Sequence, residues 1–157
     1  MRNSEFRNFA EVLAFIEQMN RQACKIGLRS TFFDSPHGLV NPKSMSTALD
    51  LAKLCAILIE KEPIFCQIVG TRNYTVTKNK NGTHNKRTYR WENTHRMLEQ
   101  RCVYGIKTGV TTNAGPCLAT AMKIDDQDLI VILLNSKDME VRWVETWKLA
   151  KWTDSRL

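Results

Sequence analysis

The stretch GIKTGVTTNAGPCLATA, residues 105–121, decides the fold because two predicted strands meet in it. Lys107, Thr108 and Gly109 end the first strand, and the Ala-Gly pair at 114–115 opens the next. The lysine offers a positive charge to a carboxylate, and the neighbouring hydroxyl adds a hydrogen-bond donor. The glycine leaves the strand surface free of a side chain, so a peptide can lie against the strand edge.

Three strands are predicted around this stretch, at residues 103–108, 117–124 and 129–134. The last of them contains LIVILL, which is apolar at every position. Such a run favours a strand in the interior of a sheet, where both faces are buried.

A β-hairpin is predicted before these strands. Alternating residues at 72–78 and 86–91 flank Asn81-Gly82, a strong turn signal. Basic side chains concentrate in it: Lys78, Lys80, Lys86, Arg87 and Arg90. With a net charge of +7, the chain suits acidic partners. A solvated hairpin tip is nevertheless the favoured interpretation, and nucleic acid is an unlikely partner because no recognisable nucleic-acid fold accompanies the charge.

Helix-period patterns occupy the two ends of the chain and its middle. A first helix is predicted over residues 6–26, with its stop at Gly27. Its apolar stripe is Phe6, Phe9, Leu13, Ile16 and Ala23. A second helix begins near Thr47, which has capping-box spacing to Asp50. Its predicted buried stripe is Leu51, Leu54, Cys55 and Leu58. A third is predicted over 139–152, covering the sheet with Val141, Val144, Trp147 and Trp152.

Four segments together carry a resemblance to a known family: residues 19–39 with the P-H-G-L loop, 46–54, WENTHRML at 91–98, and K-T-G within 105–121. In this order they resemble the D-alanyl-D-alanine carboxypeptidases, serine penicillin-binding proteins of the peptidase S11 type. The resemblance implies an α/β fold of the α+β type, namely the C-terminal part of a β-lactamase or transpeptidase-like fold with an antiparallel sheet flanked by helices. Residues 1–157 would form a single partial domain.

The resemblance also assigns site residues. Lys107, Thr108 and Gly109 would bind the substrate, and the backbone N–H of Val110 would lend one donor to the oxyanion hole. His37 resembles a position lining the active-site floor, although a loop histidine beside glycine more often serves loop hydrogen bonding. His95 departs from the family pattern, which usually has asparagine there.

The family's catalytic elements are missing from the 157 residues. Its mechanism uses an S-x-x-K pair, in which lysine activates the serine nucleophile, and an S-x-N element. No serine here has lysine three residues later or asparagine two residues later. We therefore expect no catalytic residue in this chain, and a missing N-terminal half-domain or another protein chain as its partner. A D-Ala-D-Ala peptide or a β-lactam would bind once that partner completes the site.

Two other functions remain open on the sequence alone. The chain could be a catalytically inactive, carboxypeptidase-like structural subunit of a larger assembly. It could also be a module that uses the Lys107 pocket to bind carboxylates without turnover.

The five cysteines favour a reducing intracellular compartment, since they form no C-x-x-C pair and one is left over. Neither they nor the three histidines show the spacing of zinc ligands, and we expect neither a metal nor a cofactor. No export signal or membrane span is predicted, because no apolar stretch is long enough.

Overall fold

A computed structural model describes residues 2–39, 43–79 and 86–154 of the chain. The described elements are, in chain order, α1 (Arg2–Lys25), α2 (Ala48–Lys61), α3 (Pro63–Gly70), β1 (Asn73–Asn79), β2 (Lys86–Glu92), a 3₁₀ helix (Arg96–Glu99), β3 (Val103–Thr111), β4 (Gly115–Ile124), β5 (Gln127–Leu133) and α4 (Val141–Asp154). The expected α+β fold with an antiparallel sheet flanked by helices is confirmed.

The main sheet is antiparallel, in the order β3-β4-β5. Among the described strands β5 pairs only with β4, so the predicted interior position of residues 129–134 is wrong for this sheet. Both faces of β5 are nevertheless covered, because α2 contacts it on one side and α4 on the other. The apolar run at 129–134 therefore indicates a strand whose two faces are both covered, and a strand at the edge of a sheet can also be covered on both faces.

Two apolar clusters cover the two faces of the sheet. The first lies under α4 and the 3₁₀ helix, and its buried residues are Met97, Leu98, Val103, Leu118, Met122, Val131 and Ala150. The second lies under α2 and α3 and is smaller, with Cys55, Ile106 and Ala121 buried. The sheet is thus packed better on its α4 face than on its α2 face.

The predicted hairpin is formed by β1 and β2, which pair antiparallel as a separate two-stranded sheet. Tyr74 lies opposite Trp91, with ring centroids 5.8 Å apart, and Lys78 lies opposite Arg87. The predicted Asn81-Gly82 turn lies outside the described residues.

Helix α2 begins as predicted, because the Thr47 side chain accepts a hydrogen bond from the Asp50 N–H at 3.2 Å. Of its predicted buried stripe only Cys55 is buried, and the three leucines are half-buried. These leucines border a cavity of about 290 Å³ between α2 and the sheet. The predicted stripe therefore faces the sheet as expected, but its leucines are only partly buried.

Helix α1 ends at the predicted glycine, since Gly27 has a φ of 79° and the Leu28 N–H bonds to the Ala23 carbonyl. Its predicted stripe is covered only towards its C-terminal end: Phe9 is 63% and Leu13 50% exposed, whereas Ile16 is half-buried and Ala23 is buried. The Asn20 amide group of α1 donates a hydrogen bond to the Phe33 carbonyl at 2.7 Å, and its side-chain oxygen accepts the Phe33 N–H at 2.8 Å.

Helices α3 and α4 differ from expectation. Helix α3 was not predicted, although Pro63 occupies its first turn, a position that favours helix initiation. In α4 the face predicted to cover the sheet is partly wrong, because Val144 and Trp152 are each 54% exposed. Trp147 packs on the core as predicted, and Trp143, which was not predicted, packs there as well. Buried polar residues share the covered face, so apolarity alone misplaces it.

Candidate active site

Strand β3 presents its K-T-G residues at an edge of the described sheet, since it pairs only with β4. Lys107 and Gly109 are exposed, whereas Thr108 is 8% exposed. The Lys107 Nζ donates a hydrogen bond to the carbonyl of Thr108. No carboxylate of the described residues forms an ion pair with it. The ammonium group is thus placed at the strand edge with its charge available to an anion.

Gly109 leaves open space beside the strand. A Cβ atom added there would meet no atom within 4 Å, and its φ is not in the left-handed region. Neither the backbone nor a described neighbour therefore requires a glycine at this position. No side chain at this position therefore blocks the approach of a ligand or another segment to the strand.

Thr108 is joined to the segment that precedes β3. Its hydroxyl oxygen lies 2.6 Å from that of Thr94, which is exposed. The sequence gives no sign of this contact, because the two threonines are 14 residues apart and belong to different elements. Thr94 lies within the WENTHRML segment, from which no contact of its hydroxyl could be predicted.

His95 fills the position where the family pattern has asparagine, and it is 1% exposed. Its Nε2 lies 3.1 Å from the Thr120 hydroxyl and 3.3 Å from the Ala119 carbonyl, both on β4. The ring meets Trp143 edge-on at 5.8 Å. Burial lowers the pKa of His95 from its ordinary value of 6.5, so the ring is neutral in the folded chain at neutral pH. It serves here as a buried anchor.

Asn93 holds the other side of the same segment. Its amide group donates to the carbonyls of Val69 and Thr71 at 3.2 and 3.1 Å. Its side-chain oxygen accepts the backbone N–H of His95 at 2.9 Å. Residues 93–95 are therefore fastened to the end of α3 and to the central strand β4.

The cavity of about 290 Å³ borders the same three site residues. Its walls are almost entirely apolar and come from α2, α3 and the sheet: Leu51, Leu54, Cys55, Leu58, Phe65, Ile106, Leu118, Ala119, Ile132 and Leu134. Burial raises the pKa of the Cys55 thiol to about 11, so this cysteine is not a nucleophile at neutral pH. Cys117, from β4, also lines this cavity.

His37 and Val110 are both exposed. The Nδ1 of His37 accepts the backbone N–H of Leu39 at 3.0 Å, which is a hydrogen bond within its own loop. Among the described contacts none joins His37 to β3. Val110 lies opposite Pro116 and is 51% exposed. An active-site role for either residue stays a prediction.

No described serine has the surroundings of the expected nucleophile. The Ser136 hydroxyl donates to Glu145 at 2.9 Å, Ser44 donates to Asp34, and Ser46 pairs with Thr31. Among the described side chains of residues 9–39, 43–78 and 86–153, no hydrogen bond joins a serine hydroxyl to a lysine. The site therefore contains charge and hydroxyl groups for a ligand but no activated serine.

No cluster of three or more potential metal-ligating His, Cys, Asp or Glu side chains occurs among the described residues. No helix in the described part of the chain has the length and apolar character needed to cross a membrane.

Comparison with known proteins identifies the family of this chain. The family model for peptidase S11, described as D-alanyl-D-alanine carboxypeptidase, matches residues 11–138. The chain belongs to the D-alanyl-D-alanine carboxypeptidase family. It is 37% identical over 141 residues to the D-alanyl-D-alanine carboxypeptidase DacC of Escherichia coli K12, covering 88% of this chain and 33% of that protein. A D-alanyl-D-alanine carboxypeptidase of Streptomyces sp. K15 is 32% identical over 142 residues, covering 89% of this chain and 48% of that one.

Solved structures of the family agree with the fold. The crystal structure of the Streptomyces K15 DD-transpeptidase aligns with a TM-score of 0.85 and 30% identity, covering 93% of this chain and 56% of that one. The chain thus spans about a third of the first curated relatives and about half of this structure.

Proposed function

We propose that residues 1–157 supply the carboxylate-binding half of a serine D-Ala-D-Ala carboxypeptidase site. The serine and lysine of the S-x-x-K pair and the S-x-N element would come from polypeptide outside these residues. The nucleophile would attack the penultimate carbonyl, and the chain described here would hold the terminal carboxylate at β3.

The observation that carries this proposal is the geometry of the K-T-G segment. Lys107 is exposed at a strand edge without a described acidic partner, and the space beside Gly109 is open. A peptide laid along this edge gains backbone hydrogen bonds from β3 and a charge-assisted contact from the ammonium group. Both interactions suit a peptide that ends in a carboxylate.

Three uncovered surfaces support the need for additional polypeptide. The outer edge of β5 has no described neighbour, and apolar side chains of α1 are exposed. The apolar cavity lies between α2 and the sheet, beside the K-T-G residues. Apolar faces of this kind normally pack against another layer. The greater length of the relatives is consistent with such a layer.

The test combines this chain with the N-terminal polypeptide of the Escherichia coli DacC relative, where the family pattern places S-x-x-K and S-x-N. We expect release of D-alanine from a D-Ala-D-Ala peptide by the mixture and not by either part alone. In the active mixture Lys107→Ala should slow turnover roughly 30- to 900-fold, since a lost electrostatic donor costs about 2–4 kcal/mol of transition-state stabilisation.

Two results would contradict the proposal. One is D-alanine release by this chain alone, and the other is full activity of the Lys107→Ala mixture. A stable complex that binds but releases no D-alanine would instead favour the inactive structural subunit.

A further inference from the structure

We propose that one face of the β1–β2 hairpin, together with the groove between the hairpin and α3, binds an acidic polypeptide segment that carries an apolar anchor side chain. The sequence pattern alone favours a solvated hairpin tip, because it shows the charges but not the groove beside them. This binding surface lies outside the K-T-G strand and is independent of the proposed function.

The pairing register gives the hairpin two unlike faces. Side chains that lie opposite each other share a face, and successive pairs alternate between the two faces. One face carries three cross-strand pairs: Tyr74–Trp91, Val76–Tyr89 and Lys78–Arg87. Its aromatic half lies next to α3, which ends shortly before β1, and its two cations lie towards the tip. We call it the aromatic-basic face.

The aromatic half of this face forms one wall of a groove. The groove has a volume of about 500 Å³, and Ile68 of α3 lines its other wall opposite Tyr74 and Trp91. These three apolar side chains are 67%, 58% and 52% exposed. Exposed apolar side chains that lie together on a surface mark interaction sites, and a concave site suits an inserted side chain.

Hydrogen bonds at the base of the hairpin fix the shape of the groove. The side-chain amide of Asn93 donates to the carbonyls of Val69 and Thr71, at 3.2 and 3.1 Å. The backbone N–H of Asn93 donates to the Arg72 carbonyl at 2.8 Å. The hairpin and the end of α3 are therefore held together, and a partner meets a preformed groove, which lowers the entropic cost of binding.

The charges of the hairpin determine the kind of partner. Four exposed cations lie on its strands: Lys78, Lys86, Arg87 and Arg90. Within residues 73–79 and 86–92 the only acidic residue is Glu92. None of the ion pairs formed by the described residues involves any of the four cations. Because Lys78 lies directly opposite Arg87, their charges repel each other, and an acidic segment relieves this repulsion.

Other kinds of partner match this surface less well. A second copy would bring another set of the same cations to the face. A bilayer is flat, whereas the apolar surface is a groove whose rings lie behind the cations of the tip. Bases of a nucleic acid need free ring faces, but Trp91 stacks against Tyr89 at 5.8 Å and Arg87 lies over Tyr89 at 5.1 Å. A polypeptide supplies both carboxylates and an apolar side chain.

The experiment measures the binding of a fluorescein-labelled peptide, EDELFEDE, to the whole chain by fluorescence anisotropy. We expect saturable binding that weakens several-fold when sodium chloride is raised from about 50 to about 300 mM, since salt screens exposed charges. The peptide EDESSEDE lacks the apolar anchor and should bind roughly fivefold more weakly. The peptide KRKLFKRK reverses the charge and should show no saturable binding.

Two variants each remove one half of the surface. Arg87→Glu should weaken the binding of EDELFEDE about tenfold, because it replaces an attraction by a repulsion. The new acid would lie opposite Lys78, so the hairpin itself gains a favourable cross-strand pair. Ile68→Ser should weaken binding about fivefold, and it should retain the fold because this side chain is mostly exposed.

The matched controls make the same changes elsewhere. Lys148→Glu gives the same change in net charge at an exposed position of α4. Leu49→Ser removes an apolar side chain that is 66% exposed on α2. Both controls should bind EDELFEDE within about twofold of the wild type, because distant exposed charges are screened and neither side chain lines the groove.

Several results would overturn the inference. The first is the absence of saturable EDELFEDE binding to the wild-type chain, and the second is wild-type affinity in both Arg87→Glu and Ile68→Ser. An equal loss in Lys148→Glu and Arg87→Glu would show an effect of net charge alone. Tighter binding to phosphatidylglycerol vesicles or to oligothymidylate, lost in the same two variants, would assign the face to a membrane or a nucleic acid. Self-association abolished by Arg87→Glu would assign it to a second copy. The K-T-G residues take no part in these measurements, so the proposed function is tested separately.

Discussion

Replacing His95 by alanine should destabilise the fold by about 2–4 kcal/mol. The imidazole is 1% exposed, so its removal leaves a cavity beside Trp143. It also removes the hydrogen-bond partner of the Thr120 hydroxyl, which is itself fully buried. A buried hydroxyl without a partner costs about 1–3 kcal/mol, and the lost packing accounts for the remainder.

The same residue should make stability depend on pH. Burial lowers the pKa of His95 below 6.5, so the unfolded chain takes up a proton that the folded chain resists. The contribution of the neutral ring is complete above about pH 6.5 and is lost progressively as the pH falls below that value towards the lower pKa of the folded state. One proton limits the slope to about 1.4 kcal/mol per pH unit.

Urea denaturation followed by circular dichroism, between about pH 5 and pH 8, measures both effects. His95→Ala should lower the free energy of unfolding at pH 8 and reduce its decline towards pH 5. The control is His37→Ala, because His37 is exposed and its described hydrogen bond lies within its own loop. A decline in His95→Ala as steep as that of the wild type would refute the reasoning.

Three further predictions concern packing and reactivity. Val131→Asp should destabilise the chain by about 3 kcal/mol or more, because it buries an unpaired charge in β5. The control Val144→Asp, on the exposed face of α4, should change thermal stability little. The exposed Cys24 should react with a thiol reagent under native conditions well before the buried Cys55, whose pKa is about 11; equal rates would count against the packing of α2. The isolated chain should self-associate at micromolar concentration through the exposed apolar residues of α1, and sedimentation as a monomer would contradict this.

Much of the fold could be predicted because local chemistry and tertiary packing agree. Thr47 caps α2 through a contact three residues away, and Gly27 ends α1 through its own backbone conformation. Two strands of the main sheet follow from apolar runs, and the K-T-G motif locates the third. Each of these signals is contained within a few residues.

The remaining features depend on contacts that sequence periodicity does not report. The run at 129–134 shows that both faces of β5 are covered, but pairing at its outer edge depends on which strands are present. The face of α4 includes buried polar residues such as Thr146, so an apolar pattern misplaces it. The Thr94–Thr108 contact joins two elements through tertiary packing, and no local rule predicts it.

Intact mass spectrometry after incubation with penicillin tests the central claim most directly, since an acyl-enzyme requires an activated serine. The account predicts no adduct on this chain, either alone or with the complementing S-x-x-K polypeptide. In that mixture the adduct should appear on the serine of the added polypeptide, and Lys107→Ala should slow its formation. A stable penicillin adduct mapped to any serine of residues 1–157 would contradict the account.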